Sequence, residues 1–172
     1  MKTVIVYYSM AGNTDWTAKK LAEGLDADLI EIRPVKAYPD KGIRKFLWGG
    51  KSAVMAETPA LESYEFYAGK YDRIVIGFPV WAGNMAPPIR TFVTENRDAI
   101  VGKQVFAYAC QSGNGAEKAF EKLRVCIGHD LSGTMILIDP KDKPKEENDR
   151  KIEEFRKMLA YDTGSGAVGE MD

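Results

Sequence analysis

The chain alternates short apolar runs with segments of helical periodicity. Thr3-Val4-Ile5-Val6-Tyr7-Tyr8 is a β-prone run, and Ala18, Leu21, Ala22 and Leu25 then recur at helical spacing. This predicts a helix from about Thr14 to Leu25, stopped near Asp26. A short strand over Asp28 to Ile32 ends before Pro34. Arg73-Ile74-Val75-Ile76-Gly77-Phe78 is almost continuously apolar, as expected of a parallel strand covered on both faces. Pro87 and Pro88 suit the first turn of a helix, where a missing N–H costs nothing. A fourth strand (Gln104 to Cys110), a helix from about Asn114 to Arg124 and a fifth strand (Thr134 to Ile138) follow. The last helix carries Ile152, Phe155 and Leu159 on one side, with Glu146 and Glu147 early and Arg156 and Lys157 late, matching the helix dipole. Strands alternating with helices imply an α/β fold with a doubly wound, five-stranded parallel sheet.

Residues 1–160 read as one domain, since neither an internal repeat nor a linker divides them. The stretch 33–71 is longer than a crossover needs. Within it, Asp40 to Glu57 has amphipathic helical spacing around Ile43, Phe46, Leu47, Val54 and Met55, interrupted by Gly49-Gly50. Phe46, Trp48, Tyr64, Phe66 and Tyr67 give this insertion its aromatic weight. They are expected to pack it onto the sheet, with a lid over a ligand as the alternative. Residues 161–172 form a Gly-rich tail, expected to be mobile unless a neighbour, such as a second subunit of a homodimer, orders it.

Ser9-Met10-Ala11-Gly12-Asn13-Thr14 joins the first strand to the first helix. Gly12 allows close backbone approach, Ser9, Asn13 and Thr14 offer side-chain donors, and the helix start presents unpaired N–H groups. The loop reads as a phosphate cradle; a plain helix cap would use the same residues. No Lys or Arg lies between Thr3 and Ala18, so an anion there is expected to be held by neutral dipoles alone. Two further segments follow strands and precede helices: Gly77-Phe78-Pro79-Val80-Trp81-Ala82-Gly83-Asn84, then Met85 to Pro88, and Ala109-Cys110-Gln111-Ser112-Gly113-Asn114-Gly115. All three would leave the carboxyl ends of strands, where open α/β sheets bind ligands at a switch point.

Over residues 2 to about 159 these segments resemble the phosphate loop and the two ring-binding loops of the flavodoxin family. The resemblance implies the strand order 2-1-3-4-5 and FMN as cofactor. It implies cofactor contacts from Ser9, Met10, Ala11, Gly12, Asn13 and Thr14, from Pro79, Val80, Trp81, Ala82, Gly83 and Asn84, and from Cys110, Gln111, Ser112, Gly113, Asn114 and Gly115. Trp81 would stack on the ring, the Gly83 peptide (with that of Ala82 as rival) would turn toward the ring nitrogen N5, and N–H groups of Gln111 to Gly115 would bind the pyrimidine edge. Two departures stand out. Ala11 replaces a Thr common in the family, and Cys110 to Gly115 holds no aromatic residue to cover the second ring face. The resemblance implies an electron carrier meeting a redox partner protein. The alternatives are an NAD(P)H-dependent quinone or flavin reductase acting on a small quinone or flavin, and a flavin-free binding scaffold.

Composition narrows the rest. With 24 basic and 25 acidic residues and a net charge of −1, the chain lacks the basic excess of a nucleic-acid binder and the acidity typical of flavodoxins. Two cysteines without C-x-x-C spacing argue against a disulfide framework. Cys110 is expected to be a small buried hydrophobe, with contact to the ring as the alternative. His129 is expected at the surface, away from the three loops, without metal-ligand partners. Triphosphate and dinucleotide fingerprints are absent, and no catalytic residue stands out. Met1-Lys2 runs straight into the first strand and no apolar stretch nears the ~20 residues that span a bilayer, so a cytoplasmic protein without membrane contact is expected.

Overall fold

The computed structural model describes residues 1–39, 51 and 53–161. β1 (Thr3–Tyr7), β2 (Ala27–Glu31), β3 (Arg73–Trp81), β5 (Gln104–Gln111) and β6 (Gly133–Ile138) pair in parallel in the order β2-β1-β3-β5-β6. Among the long strands this is the expected 2-1-3-4-5 order. The addition is β4 (Asn84–Met85), antiparallel to the end of β3 through Val80↔Met85 and Trp81↔Asn84. The α-helices that flank the sheet, among the described residues, include α1 (Asn13–Ala22), α2 (Pro87–Glu95), α3 (Arg97–Ile100), α4 (Ala116–Ile127) and α5 (Glu146–Ala160). Sequence periodicity gave no sign of α3, which is one turn long.

Apolar runs rather than alternation mark the central strands because both sheet faces are covered. Val4, Val6, Ile74, Ile76, Val105 and Ala107 face one core, where α2 contributes Ile89, Phe92 and Val93 and α4 contributes Phe120 and Leu123. The intervening Ile5, Tyr7, Val75, Phe106 and Tyr108 face the other, with Ala18 and Leu21 of α1 and Ile152, Phe155 and Leu159 of α5. Each fully buried aliphatic side chain contributes ~1.5–3 kcal/mol, so a charge at Ile76 would open the first core. Trp16, off the apolar stripe of α1, lies half-buried against the second core with the Lys20 ammonium 6.0 Å from its ring.

Arg73 is buried at the start of β3, where its guanidinium donates to Gln104 Oε1 and to the carbonyls of Leu159 and Tyr161. The end of α5 is thereby tied to the amino edge of the sheet, leaving the carboxyl edge free for a site.

In the 33–71 segment, Pro34 bridges Leu61, Tyr64 packs edge-on against Phe92, and Phe66 meets both Tyr71 and Phe92. These aromatics serve packing, as expected, whereas Tyr67 is exposed. Most of the Asp40–Glu57 helix expected from the sequence, including Phe46 and Trp48, and the tail 162–172 lie outside the described residues. Among the described residues no helix is long and apolar enough to cross a membrane.

Candidate functional site

β1, β3 and β5 all end at the same edge of the sheet, and the loops that follow them enclose a cavity of about 460 Å3. Its wall is formed by Ser9, Met10, Ala11, Asn13 and Thr14 from the first loop, and Pro79, Val80, Trp81 and Ala82 from the second. Cys110, Gln111, Ser112, Gly113 and Asn114 close it from the third, together with Asp139 at the end of β6. Gly12, Gly83, Asn84 and Gly115 do not line it.

At the first loop, Gly12 adopts φ 94 and serves as the N-cap of α1 without a side-chain capping bond. The N–H groups of Asn13, Thr14 and Asp15 therefore meet no acceptor among the described residues, and the positive end of the helix dipole faces the cavity. Of the side-chain donors expected there, Asn13 is engaged with a neighbouring segment, whereas Ser9 accepts a hydrogen bond and keeps its O–H to donate. Ser9 Oγ accepts from Gly12 N (3.1 Å), and Asn13 Nδ2 donates to Asp142 Oδ2 (2.8 Å). Asn13 Oδ1 accepts from Lys141 N (2.9 Å) and Asp142 N (3.3 Å). Asn13 thus staples the β6–α5 connection to the first loop.

That staple also brings a cation beside the neutral dipoles of the loop. Lys141 lies so close over the loop that a Cβ placed on Gly12 would sit 2.7 Å from its Nζ. A cation 129 residues from Gly12 in sequence cannot be read from the loop itself; the fold brings it there. Asp15, in the first turn of α1, adds an opposing charge. Burial pushes its carboxyl pKa up, but hydrogen bonds from Lys19 and Tyr7 and the charge of Lys141 outweigh that and hold it below the ordinary value.

The second segment is a hairpin rather than an open loop. β3 runs through Trp81, and Ala82 (φ 50) and Gly83 (φ 69) turn the chain back into Asn84. Positive φ at both central positions is the signature of a type I′ turn, whose twist matches that of the strands. Ala82 is an unfavourable residue for it, and Asn84 offsets the cost: it is buried, its Nδ2 donates to Ala82 O (2.8 Å), and Lys122 Nζ donates to its Oδ1 (2.5 Å). Trp81 packs edge-on against Tyr8 (centroids 5.8 Å) and Tyr38 (5.1 Å). Tyr38 comes from the 33–71 segment and was not foreseen as a support for Trp81.

In the third segment, Gln111 belongs to β5, and its Oε1 accepts from Ala116 N, so its side chain caps α4. Ser112 Oγ donates to Asp139 Oδ1 (2.6 Å), and Lys143 Nζ donates to Asp139 Oδ2 (2.8 Å). Burial raises the Asp139 carboxyl pKa, but these donors and the charges of Lys143 and Lys145 outweigh it and keep the group an anion, with its backbone at φ 40. Sequence reading missed Asp139; a lone Asp after a strand carries no pattern, and only its position at the shared sheet edge marks it. Cys110 lines the cavity but is 4% exposed and lies 3.7 Å from Thr17 Oγ1. Burial pushes its thiol up to about 12, so it stays protonated. His129 is half-buried in the turn after α4, with Nδ1 2.8 Å from Asp130 O.

The chain is similar in fold to a Lactobacillus acidophilus flavoprotein solved in complex with FMN, at TM-score 0.70 and 22% identity, with 87% of this chain and 97% of that one covered. A candidate flavoprotein from Bacteroides uniformis aligns at TM-score 0.70 and 25% identity, over 91% and 97% of the two chains. Two-electron reduced Megasphaera elsdenii flavodoxin aligns at TM-score 0.55 and 18% identity, over 91% and 96%. A sequence profile of flavodoxin matches residues 2–139, and with that match over most of its length the chain belongs to the flavodoxin family.

Proposed function

We propose that the cavity at the carboxyl edge of the sheet binds FMN and that the chain carries electrons through it. The observation that carries this reading is the placement, around one cavity, of the uncapped amino end of α1 and of Trp81 at the carboxyl end of β3. A phosphate finds N–H donors and Lys141 at the first loop; a flat ring finds apolar and aromatic surface at the second. The donor set and a volume within the range of small-ligand pockets fit FMN. Bound FMN supplies a ring that takes up one or two electrons.

The chain's own residues do the rest. N–H groups of Asn13 to Asp15 bind and orient the phosphate. Trp81, propped by Tyr8 and Tyr38, presents a fixed face to the ring and excludes water from it. The protonated Cys110 thiol and Pro79 form the floor. Ser112, held by Asp139, fixes the third loop at the ring's polar edge.

A reductase reading draws support from the third segment, which offers no aromatic cover for the second ring face and so leaves room for a quinone or a second flavin. Purified protein with a flavin spectrum supports the common reading, and anaerobic NADPH then separates the two. A carrier stays oxidised until a reductase protein is added; a reductase bleaches at once and turns over a quinone. An apoprotein that takes up no FMN refutes both and leaves a flavin-free scaffold.

A further inference from the structure

We propose that Lys141 is the counter-charge for the terminal phosphate of the flavin nucleotide, held over the phosphate loop by Asn13. This rests on the FMN-binding reading and adds to it a specificity-determining residue from outside the three loops.

The geometry argues for it in three ways. First, Lys141 is fixed at its backbone: Asn13 Oδ1 accepts from the N–H of both Lys141 and Asp142, while Asn13 Nδ2 donates to Asp142 Oδ2. A lysine on a free loop would lose much of its effect to side-chain and backbone entropy. This one starts from a backbone anchored beside the amino end of α1. Second, the side chain lies along Gly12, with Nζ 2.7 Å and Cδ 3.4 Å from where a Cβ would stand. A Cβ there would push the flexible end of the Lys141 side chain aside, and the φ of 94 independently favours glycine. Third, the ammonium has no ion-pair partner among the described residues, whereas Lys19, Lys20, Lys143 and Lys151 each have one.

The charge balance at the loop calls for such a group. A phosphate monoester carries roughly −1.5 to −2 at neutral pH, and a helix amino terminus offers the equivalent of about +0.5. Asp15 adds a negative charge in the first turn, which Lys19 offsets at 2.8 Å, so it leaves the phosphate charge uncompensated. The excess is therefore anionic, and Lys141 is the cation the fold delivers to it. Riboflavin, lacking the phosphate, would gain nothing from it.

The test is a titration of apoprotein with FMN and with riboflavin, followed by flavin fluorescence, at low and high salt. Lys141→Gln is expected to weaken FMN about fivefold at low salt, the upper end for an exposed ion pair, to leave riboflavin within about twofold, and to flatten the salt dependence of FMN binding. Lys141→Arg should restore most of the loss. Lys157→Gln, which removes the same charge from the last turn of α5, should match wild type. Wild-type affinity for FMN in Lys141→Gln, or equal losses for FMN and riboflavin, would overturn the role of Lys141 while leaving FMN binding standing. A wild-type chain that takes up no FMN would instead overturn the binding reading on which the role rests.

Discussion

Gly115→Ala tests whether the second and third loops are held as one unit. Gly115 caps α4 at φ 105, and a Cβ there would stand 2.9 Å from Gly83 Cα, 3.2 Å from Gly83 N and 3.4 Å from Val80 Cγ1. Two costs follow. Placing Ala in the left-handed region costs ~1–2 kcal/mol, lessened by ~0.4–1 kcal/mol from the stiffer unfolded chain. The overlap adds a second cost, because the nearest atoms are backbone of a tight hairpin and cannot rotate away. Forced shifts of this kind cost ~1–3 kcal/mol. Gly24 and Gly102 separate the two, since both have positive φ (80 and 83) and nothing within 4 Å of a new Cβ. Equilibrium urea unfolding of the apoproteins should show Gly24→Ala and Gly102→Ala losing ~1 kcal/mol and Gly115→Ala ~2–4 kcal/mol. FMN affinity should fall only in Gly115→Ala, because displacing Gly83 displaces Trp81 across the two-residue turn. Equal losses of stability in the three variants, or full FMN affinity in Gly115→Ala, would refute the close approach as the reason for glycine.

Trp81→Ala should cost stability as well as cofactor affinity, since Trp81 ends a strand and packs on Tyr8 and Tyr38; a loss of ~1–3 kcal/mol in apoprotein unfolding and relief of flavin quenching are the expected readouts. Tyr108→Phe removes a fully buried hydroxyl that donates to Thr14 O at 2.9 Å. It should cost ~1 kcal/mol and loosen the phosphate loop, seen as faster amide exchange at Thr14 to Trp16. Asp139→Asn should destabilise by ~1 kcal/mol at pH 7. The folded-state pKa of Asp139 lies below its ordinary 3.8, so its stabilisation is present above that value and lost as pH falls through the folded pKa. The gap between wild type and Asp139→Asn in urea midpoints should therefore be constant at neutral pH and close below pH ~3.8; a gap that persists in strong acid would contradict the ionised state.

What the sequence could determine was local. Runs such as Ile74-Val75-Ile76 need cover on both faces, and the periodicity of Ile152, Phe155 and Leu159 needs a helix, because secondary structure and binary patterning act over a few residues. Strand order followed from the handedness of parallel crossovers and the family resemblance. Loops leaving strand ends then converge by topology, which is why fourteen of the residues expected at the site line one cavity with Asp139. Whether a residue faces that cavity or supports it is another matter. The side chains of Asn13 and Asn84 look like ligand donors in sequence, yet each spends hydrogen bonds on a loop or a turn. Lys141, Asp139 and Tyr38 carry no local pattern and reach the site only through long-range packing. Side-chain direction and charge compensation depend on neighbours distant in the chain, and those neighbours exist only once the sheet has assembled.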